Sequence, residues 1–362
     1  MSYQSGGLIE AVDYNEIING VNGDGGFTGV NTLWSTGDTG YGYGQTAIST
    51  VSSGTTVTAS QWATLINAIN AMNAHNYRTS YSSNGVPVPV TGNVITYLST
   101  VRDALAQADI YRDDPRLITS TVVGTLITKT FTLANSTDSA TFPMYVRIKF
   151  QSTQKARYFF NCGGFFNLRI VDAVNNDGSL RSADICTIMK TNFAGVNYFR
   201  SRTNGGYTGA GPVVLASRTD YGYYNLSNLS PTNAYSRLVK IGTSSSPYST
   251  DSVTLWGRTL MPPGQTGGTG AGNNNANGSN GSAILLYMQL IAGSQPAYPA
   301  PPTNDPGTGT RTVNTTTEDS INVTIKYRID TVYPEATNLT NSWGTVTIDD
   351  PNGGVTDDTT VL

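Results

Sequence analysis

The sequence predicts an α+β chain that is mainly β: a small N-terminal helical module, then an antiparallel β-sandwich of jelly-roll-like layout. Three observations predict it. Apolar residues recur at spacings of three and four within residues 62–72 and 94–108, the period of a helix with one buried face. From Leu117 the period becomes two, in runs rich in β-branched and aromatic residues, which is the signature of strands. These runs are short and divided by Gly, Asn and Ser turns, as in sandwiches and jelly rolls.

In chain order, residues 11–21 form the first expected helix. Asp13 is its expected N-cap, with Glu16 three residues on as a capping box requires, and Tyr14, Ile17, Ile18 and Val21 make its apolar stripe. Asn22-Gly23-Asp24-Gly25-Gly26 ends it as a turn; the acidic spacing of a calcium-binding EF-hand is missing. Next comes a glycine–tyrosine loop, Gly40-Tyr41-Gly42-Tyr43-Gly44-Gln45. Glycine at every second position permits positive φ and close backbone approach, and the tyrosines supply flat area with a polar tip. The clearest helix follows, capped by Thr58 or Ser60, with Trp62, Leu65, Ile66, Ile69 and Met72 on one side. A stripe of this kind must be buried. The loop is therefore expected to fold over this helix or to dock on a neighbouring chain, which makes Tyr41, Tyr43, Gln45 and Trp62 the assembly-interface candidates.

An extended connector ending in Pro87-Val88-Pro89 leads to a second helix, in which Val94, Leu98, Val101, Leu105 and Ala108 keep a seven-residue repeat. The repeat is too short for a long coiled coil, so a bundle of short helices is expected, within one chain or across several. The charged run Arg112-Asp113-Asp114 and Pro115 close this module near residue 116.

Residues 117–348 form the expected β domain. Strand runs are read at Thr121–Leu133, Phe142–Phe150, Ala156–Phe160, Phe165–Val171, Asn197–Arg202, Pro212–Ser217, Leu238–Ile241, Ser252–Leu260, Ser282–Ile291, Ile321–Val332 and Trp343–Ile348. In Phe142–Phe150 the alternation is clean: Met144, Val146, Ile148 and Phe150 on one face, Tyr145, Arg147 and Lys149 on the other. Tyr158, Phe159 and Phe160 are read as a strand joined by a Gly163-Gly164 turn to a return strand that holds Phe166, and these four aromatics are the β-core candidates. One helix is expected near Ser182–Thr191, around Ile185, Ile188 and Met189. Pro262–Gly281 is a Gly/Asn-rich loop, Gln295–Pro306 is proline-rich, and 349–362 is an acidic extended tail.

Composition narrows the function classes. Of 362 residues only 12% are charged and 38% hydrophobic, with net charge −3. The low charge argues against a disordered acidic or basic chain, and there is no electrostatic footprint for nucleic acid. No apolar run reaches transmembrane length, so no membrane insertion is expected, and residues 1–10 carry no secretory leader pattern. Cys162 and Cys186 are too few for a disulfide framework; two small buried thiols are expected over a bridge. The single histidine, His75, cannot build a zinc site with two distant cysteines, and at a helix end it is expected to meet the last carbonyls. No P-loop or dinucleotide fingerprint occurs, and nothing singles out two of the 24 acidic residues as a glycosidase pair. No cofactor, metal or catalytic residue is expected, and the chain is read as no enzyme. Tyrosine is abundant, at 21 against 10 Phe; Tyr207, Tyr221, Tyr223 and Tyr224 lie in glycine-rich context and suit protein interfaces or stacking on sugars.

Two segments carry a resemblance. Tyr14, Asn15 and Ile17, then Gly42-Tyr43-Gly44-Gln45, then Thr56-Val57-Thr58-Ala59-Ser60-Gln61-Trp62 with Leu65 and His75 resemble the N-terminal module of tail-associated virion structural proteins of tailed bacteriophages of the cyanophage and marine-phage type. Tyr41-Gly42 is an insertion relative to that pattern. Lys155–Ile170 (KARYFFNCGGFFNLRI) is similar to a segment in the β domain of the same proteins. The resemblance implies a virion component made in the host cytoplasm and placed in the tail, baseplate, neck or fibre. Its implied partners are copies of itself and other virion proteins, with a host-surface glycan added under a tail-fibre adhesin reading. A capsid decoration protein is the further alternative.

Overall fold

A computed structural model describes residues 10–22, 26–35, 42–76, 86–89, 98–111, 118–134, 140–192, 195–199, 206–207, 214–217, 236–242, 251–260, 283–293 and 320–349. Tyr41, Val94, the 112–115 run, Tyr221, Tyr223, Tyr224, both low-complexity segments and the tail after Asp349 lie outside the described residues. The fold is α+β, with the helices first and antiparallel sheets after them.

Among the described residues four helices open the chain: α1 (Ala11–Asn19), α2 (Val30–Trp34), α3 (Ala59–His75) and α4 (Leu98–Ile110). A two-residue pairing, β1 (Gly20–Val21) with β2 (Phe27–Thr28), links α1 to α2. Glu10, not Asp13, is the N-cap of α1, and it makes no side-chain cap bond. Asp13 sits inside the first turn and is buried; its place on the apolar side removed it from the capping role. In α3, Thr58 and Gln61 form a reciprocal capping box: Gln61 N–H donates to Thr58 Oγ1, and Thr58 N–H to Gln61 Oε1. Two donors that the first turn leaves unpaired are thus satisfied. The α3 stripe of Trp62, Leu65, Ile66, Ile69 and Met72 is fully buried, as are Val101, Ala104, Leu105 and Ala108 of α4. Two buried amides fix how the helices meet: Asn73 Nδ2 donates to Ala104 O at 2.9 Å and Asn76 Nδ2 to Ala108 O at 3.2 Å.

Two sheets form the rest. One has the order β14–β5–β12–β11–β10–β9, where β5 is Ala140–Phe150, β9 Val214–Ser217, β10 Ser236–Gly242, β11 Ser252–Leu260, β12 Ala283–Ala292 and β14 Val346–Asp349. The other runs β3–β13–β6–β7–β8, where β3 is Ile118–Val122, β6 Phe165–Asn175, β7 Gly195–Phe199, β8 Gly206–Tyr207 and β13 Ile321–Pro334; β4 (Ile127–Leu133) also pairs with β13. Every pairing is antiparallel. The chain crosses repeatedly from one sheet to the other, and the inward rows meet. Phe131 of β4 lies 5.1 Å from Phe142 of β5, and Phe150 of β5 lies 6.0 Å from Phe166 of β6. Met144, Val146, Ile148 and Phe150 point inward as the alternation predicts, and so do Ile321, Val323, Ile325, Tyr327 and Ile329.

The strand expected at Tyr158–Phe160 is a helix, α5 (Thr153–Asn161). Ser152 caps it by accepting from Lys155 N–H. Gly163 and Gly164 are not a hairpin turn but its C-terminal cap: Gly164 N–H donates to Phe159 O and Gly163 N–H to Phe160 O, the paired bonds of a Schellman motif, with Gly163 at φ 91°. The physical reason is packing. As a helix, Ala156, Phe159 and Phe160 share one face and all reach zero or near-zero exposure. Phe159 then stacks on Phe166 at 5.0 Å and meets Phe150 at 5.5 Å, wedging between the sheets. Tyr158, Phe159, Phe160 and Phe166 are core residues, but only Phe166 is on a strand.

The helix expected at 182–191 is α6 (Leu180–Thr187), continued by a π-turn over Ile188–Asn192. Its Arg181 is fully buried and reaches Asp251 through Nε and Nη2, each at 2.9 Å. Asp251 also accepts from Gly293 N–H, so α6 is locked to the far end of the β11–β12 pair. Cys162 and Cys186 are both buried free thiols; burial pushes the Cys186 thiol up.

Candidate functional site

The residues singled out by motif converge on one internal seam between the helical module and the sheets. α2 ends with unpaired carbonyls, as every helix does. The Gly-Tyr loop satisfies them in order: Tyr43 N–H donates to Leu33 O, Gln45 N–H to Trp34 O and Gly44 N–H to Ser35 O, at 2.8–3.0 Å. Gly42 and Gly44 sit at φ 89° and 72°, a region where only glycine is unstrained. At Gly44 the requirement is double, because a Cβ there would lie 2.5 Å from the Tyr158 ring.

Tyr43 is the hub. Its hydroxyl donates to Asn76 Oδ1 at 3.0 Å, and its ring stands edge-on to His75 with centroids 5.4 Å apart. Its carbonyl accepts from Ser342 Oγ, Gln45 Nε2 and Cys162 Sγ. Gln45 uses its side-chain amide like a peptide unit: Oε1 accepts from Thr340 N–H at 2.9 Å and Nε2 donates to Thr340 O at 2.8 Å. Asn161, the last residue of α5, donates to Gly42 O at 3.1 Å, and Lys155 Nζ donates to Ser342 O at 2.6 Å.

His75 is not turned toward the carbonyls of its own helix. It is fully buried and bridges two distant segments, Nδ1 to Glu335 Oε2 and Nε2 to Cys162 O, both at 3.1 Å. Glu335 is 2% exposed. Burial pushes its carboxyl up, but hydrogen bonds from His75, Thr337 and the Asn338 N–H outweigh that and hold it at about 2. The carboxylate is therefore ionised. Both ring nitrogens of His75 are thus engaged, one by the Glu335 carboxylate and one by the Cys162 carbonyl.

Thus Tyr43, Gln45 and Trp62, expected at an interface between chains, are buried inside this one, at 3%, 7% and 2% exposure. Trp62 is not part of the seam itself; it packs 6.1 Å from the Tyr14 ring, and its Nε1 has no partner among the described residues. The residues that sequence reasoning missed are Glu335, Thr340 and Ser342. They lie 260 to 299 positions from their partners, and no local pattern marks them.

Outside the seam, an open cleft of about 850 Å³ runs between α3 and the extended stretch 44–49, closed at one end by Lys155 and residues 340–342. Among the described residues no carboxylate lines it. Among the described residues, no three His, Cys, Asp or Glu side chains are grouped as a metal site requires, and no helix is long and apolar enough to cross a membrane. No family model matches the chain, and no curated protein or solved structure is similar to it.

Proposed function

We propose that this protein is a structural component of a tailed-bacteriophage virion, placed in the tail, baseplate, neck or fibre, that works by assembly with copies of itself and other virion proteins and not by turnover. One observation carries the reading. The two segments that resemble phage structural proteins are 119 residues apart where they touch, yet they meet directly, through Asn161 on Gly42 and Cys162 on Tyr43. Unrelated chance matches would have no reason to share a seam. The chemistry supports it as well: the sole histidine has both nitrogens engaged, and the cleft offers no acid–base pair. The sparse charge suits a surface that is covered in an assembly.

Mass spectrometry of gradient-purified particles of the encoding phage tests the proposal. The chain should co-purify at a stoichiometry comparable to known tail components. Its absence from particles whose other proteins are recovered would overturn the reading.

A further inference from the structure

The cleft beside the seam has the lining of a site for a neutral sugar. Its volume, about 850 Å³, falls in the range of roughly 300–1,000 Å³ typical of small-ligand clefts. One wall is the outer face of α3, where Thr64 and Asn67 are exposed; the other is the loop with Thr46 and Ser49 exposed. The Asn67 amide and the Thr46 and Ser49 hydroxyls have no partner among the described residues. Trp34 borders the cleft half-buried, its Nε1 held by Thr46 O at 3.0 Å, so its indole is fixed in place. Among the described residues Lys155 is the one charged side chain in the lining, and it donates to Ser342 O.

Each feature narrows the ligand. A metal or a cationic group finds no carboxylate. A multiply charged anion finds a single ammonium, Lys155, among the described lining residues. A protein segment needs deep apolar pockets for its anchors, and the α3 wall offers only Ala68 and Ala71. Unpartnered amide and hydroxyl groups beside a held indole match a polyhydroxylated neutral ring. The walls are also preformed. The loop is tied by Asn31, whose amide brackets Ile48 through Nδ2 to Ile48 O and Oδ1 from Ile48 N–H, and by the Gln45–Thr340 exchange. A rigid site loses less entropy on binding.

We infer that this cleft binds a short neutral oligosaccharide without cleaving it. The inference stands on the lining of the cleft and not on the virion reading, so either can fail alone. The test is calorimetric titration of the full chain with linear neutral oligosaccharides of glucose, galactose and N-acetylglucosamine, following tryptophan emission in parallel. At least one series should bind. Thr64→Ala with Asn67→Ala should weaken it roughly tenfold or more at an unchanged melting temperature, because both side chains face solvent. Ala71→Trp should abolish it by filling the cleft. No binding by any of these sugars, or binding that the double substitution leaves unchanged, would overturn the inference; the double variant decides the matter even where Ala71→Trp fails to fold.

Discussion

The buried His75–Glu335 pair predicts how the protein responds to acid. The Glu335 carboxyl titrates at about 2 in the folded chain, against an ordinary 4.5. A group whose folded value is lowered stabilises the fold fully above its unfolded value, and that stability drains away as pH falls toward the folded value. The window is therefore pH 4.5 down to about 2. At roughly 1.4 kcal/mol for each pH unit of difference, the contribution at neutral pH is about 3 kcal/mol. The direct probe is Glu335→Gln, which keeps the shape and an acceptor but removes the charge. Urea unfolding from neutral pH downward should show the variant less stable by about 3 kcal/mol, since it loses the carboxylate that His75, Thr337 and the Asn338 N–H stabilise. The gap between wild type and variant should then narrow through the window and close near its lower end. Other carboxylates also titrate there, so the difference between the two proteins is the quantity to read. Wild type and variant losing stability in parallel across the window would refute the assignment of Glu335.

Three further outcomes follow from the packing. Trp62→Ala should cost about 3–5 kcal/mol by leaving a large cavity under α1; an unchanged melting temperature together with an unchanged oligomeric state would remove Trp62 from the core argument. Gly44→Ala should destabilise by more than about 1 kcal/mol from its left-handed backbone alone, with the Tyr158 contact adding to it; chemical denaturation checks this, and a neutral result would mean the loop does not lie against α5 as described. Arg181→Met should cost about 3–5 kcal/mol by stranding the Asp251 carboxylate, and adding Asp251→Asn should recover part of the loss, which a double-mutant cycle measures.

Much of the fold was legible because the relevant signals are local. The 3–4 spacing of Trp62, Leu65, Ile66, Ile69 and Met72 marked α3, the alternation in Phe142–Phe150 marked its two faces, and Ile321–Val332 was legible as a strand run. The failure at Tyr158–Phe160 is instructive. Three consecutive aromatics read as a strand by propensity, yet Ser152 at one end and Gly163 at the other are helix punctuation, and a three-sided aromatic core decided the matter in favour of the helix. The Asp13 cap failed for a related reason: burial of that face set the helix start three residues earlier. The seam was half legible. The Gly-Tyr loop and His75 were visible as unusual, and the loop's expected fold over nearby helices holds for Tyr43 and Gln45. Their partners Glu335, Thr340 and Ser342 come from the other end of the chain, where nothing local distinguishes them from ordinary turn residues. Tyr43, Gln45 and Trp62, read as assembly-interface candidates, lie inside this chain: amides and tyrosine hydroxyls join the module to the sheets, where a more apolar sequence would use side-chain packing alone.

The central claim is that this chain belongs to the particle. Immunogold labelling of intact virions of the encoding phage, viewed by electron microscopy, tests it most directly. The account predicts gold at the tail, baseplate, neck or fibres, with the position choosing among them. Gold over the capsid would contradict the tail placement in favour of decoration, and unlabelled particles alongside labelled free protein would contradict the virion role itself.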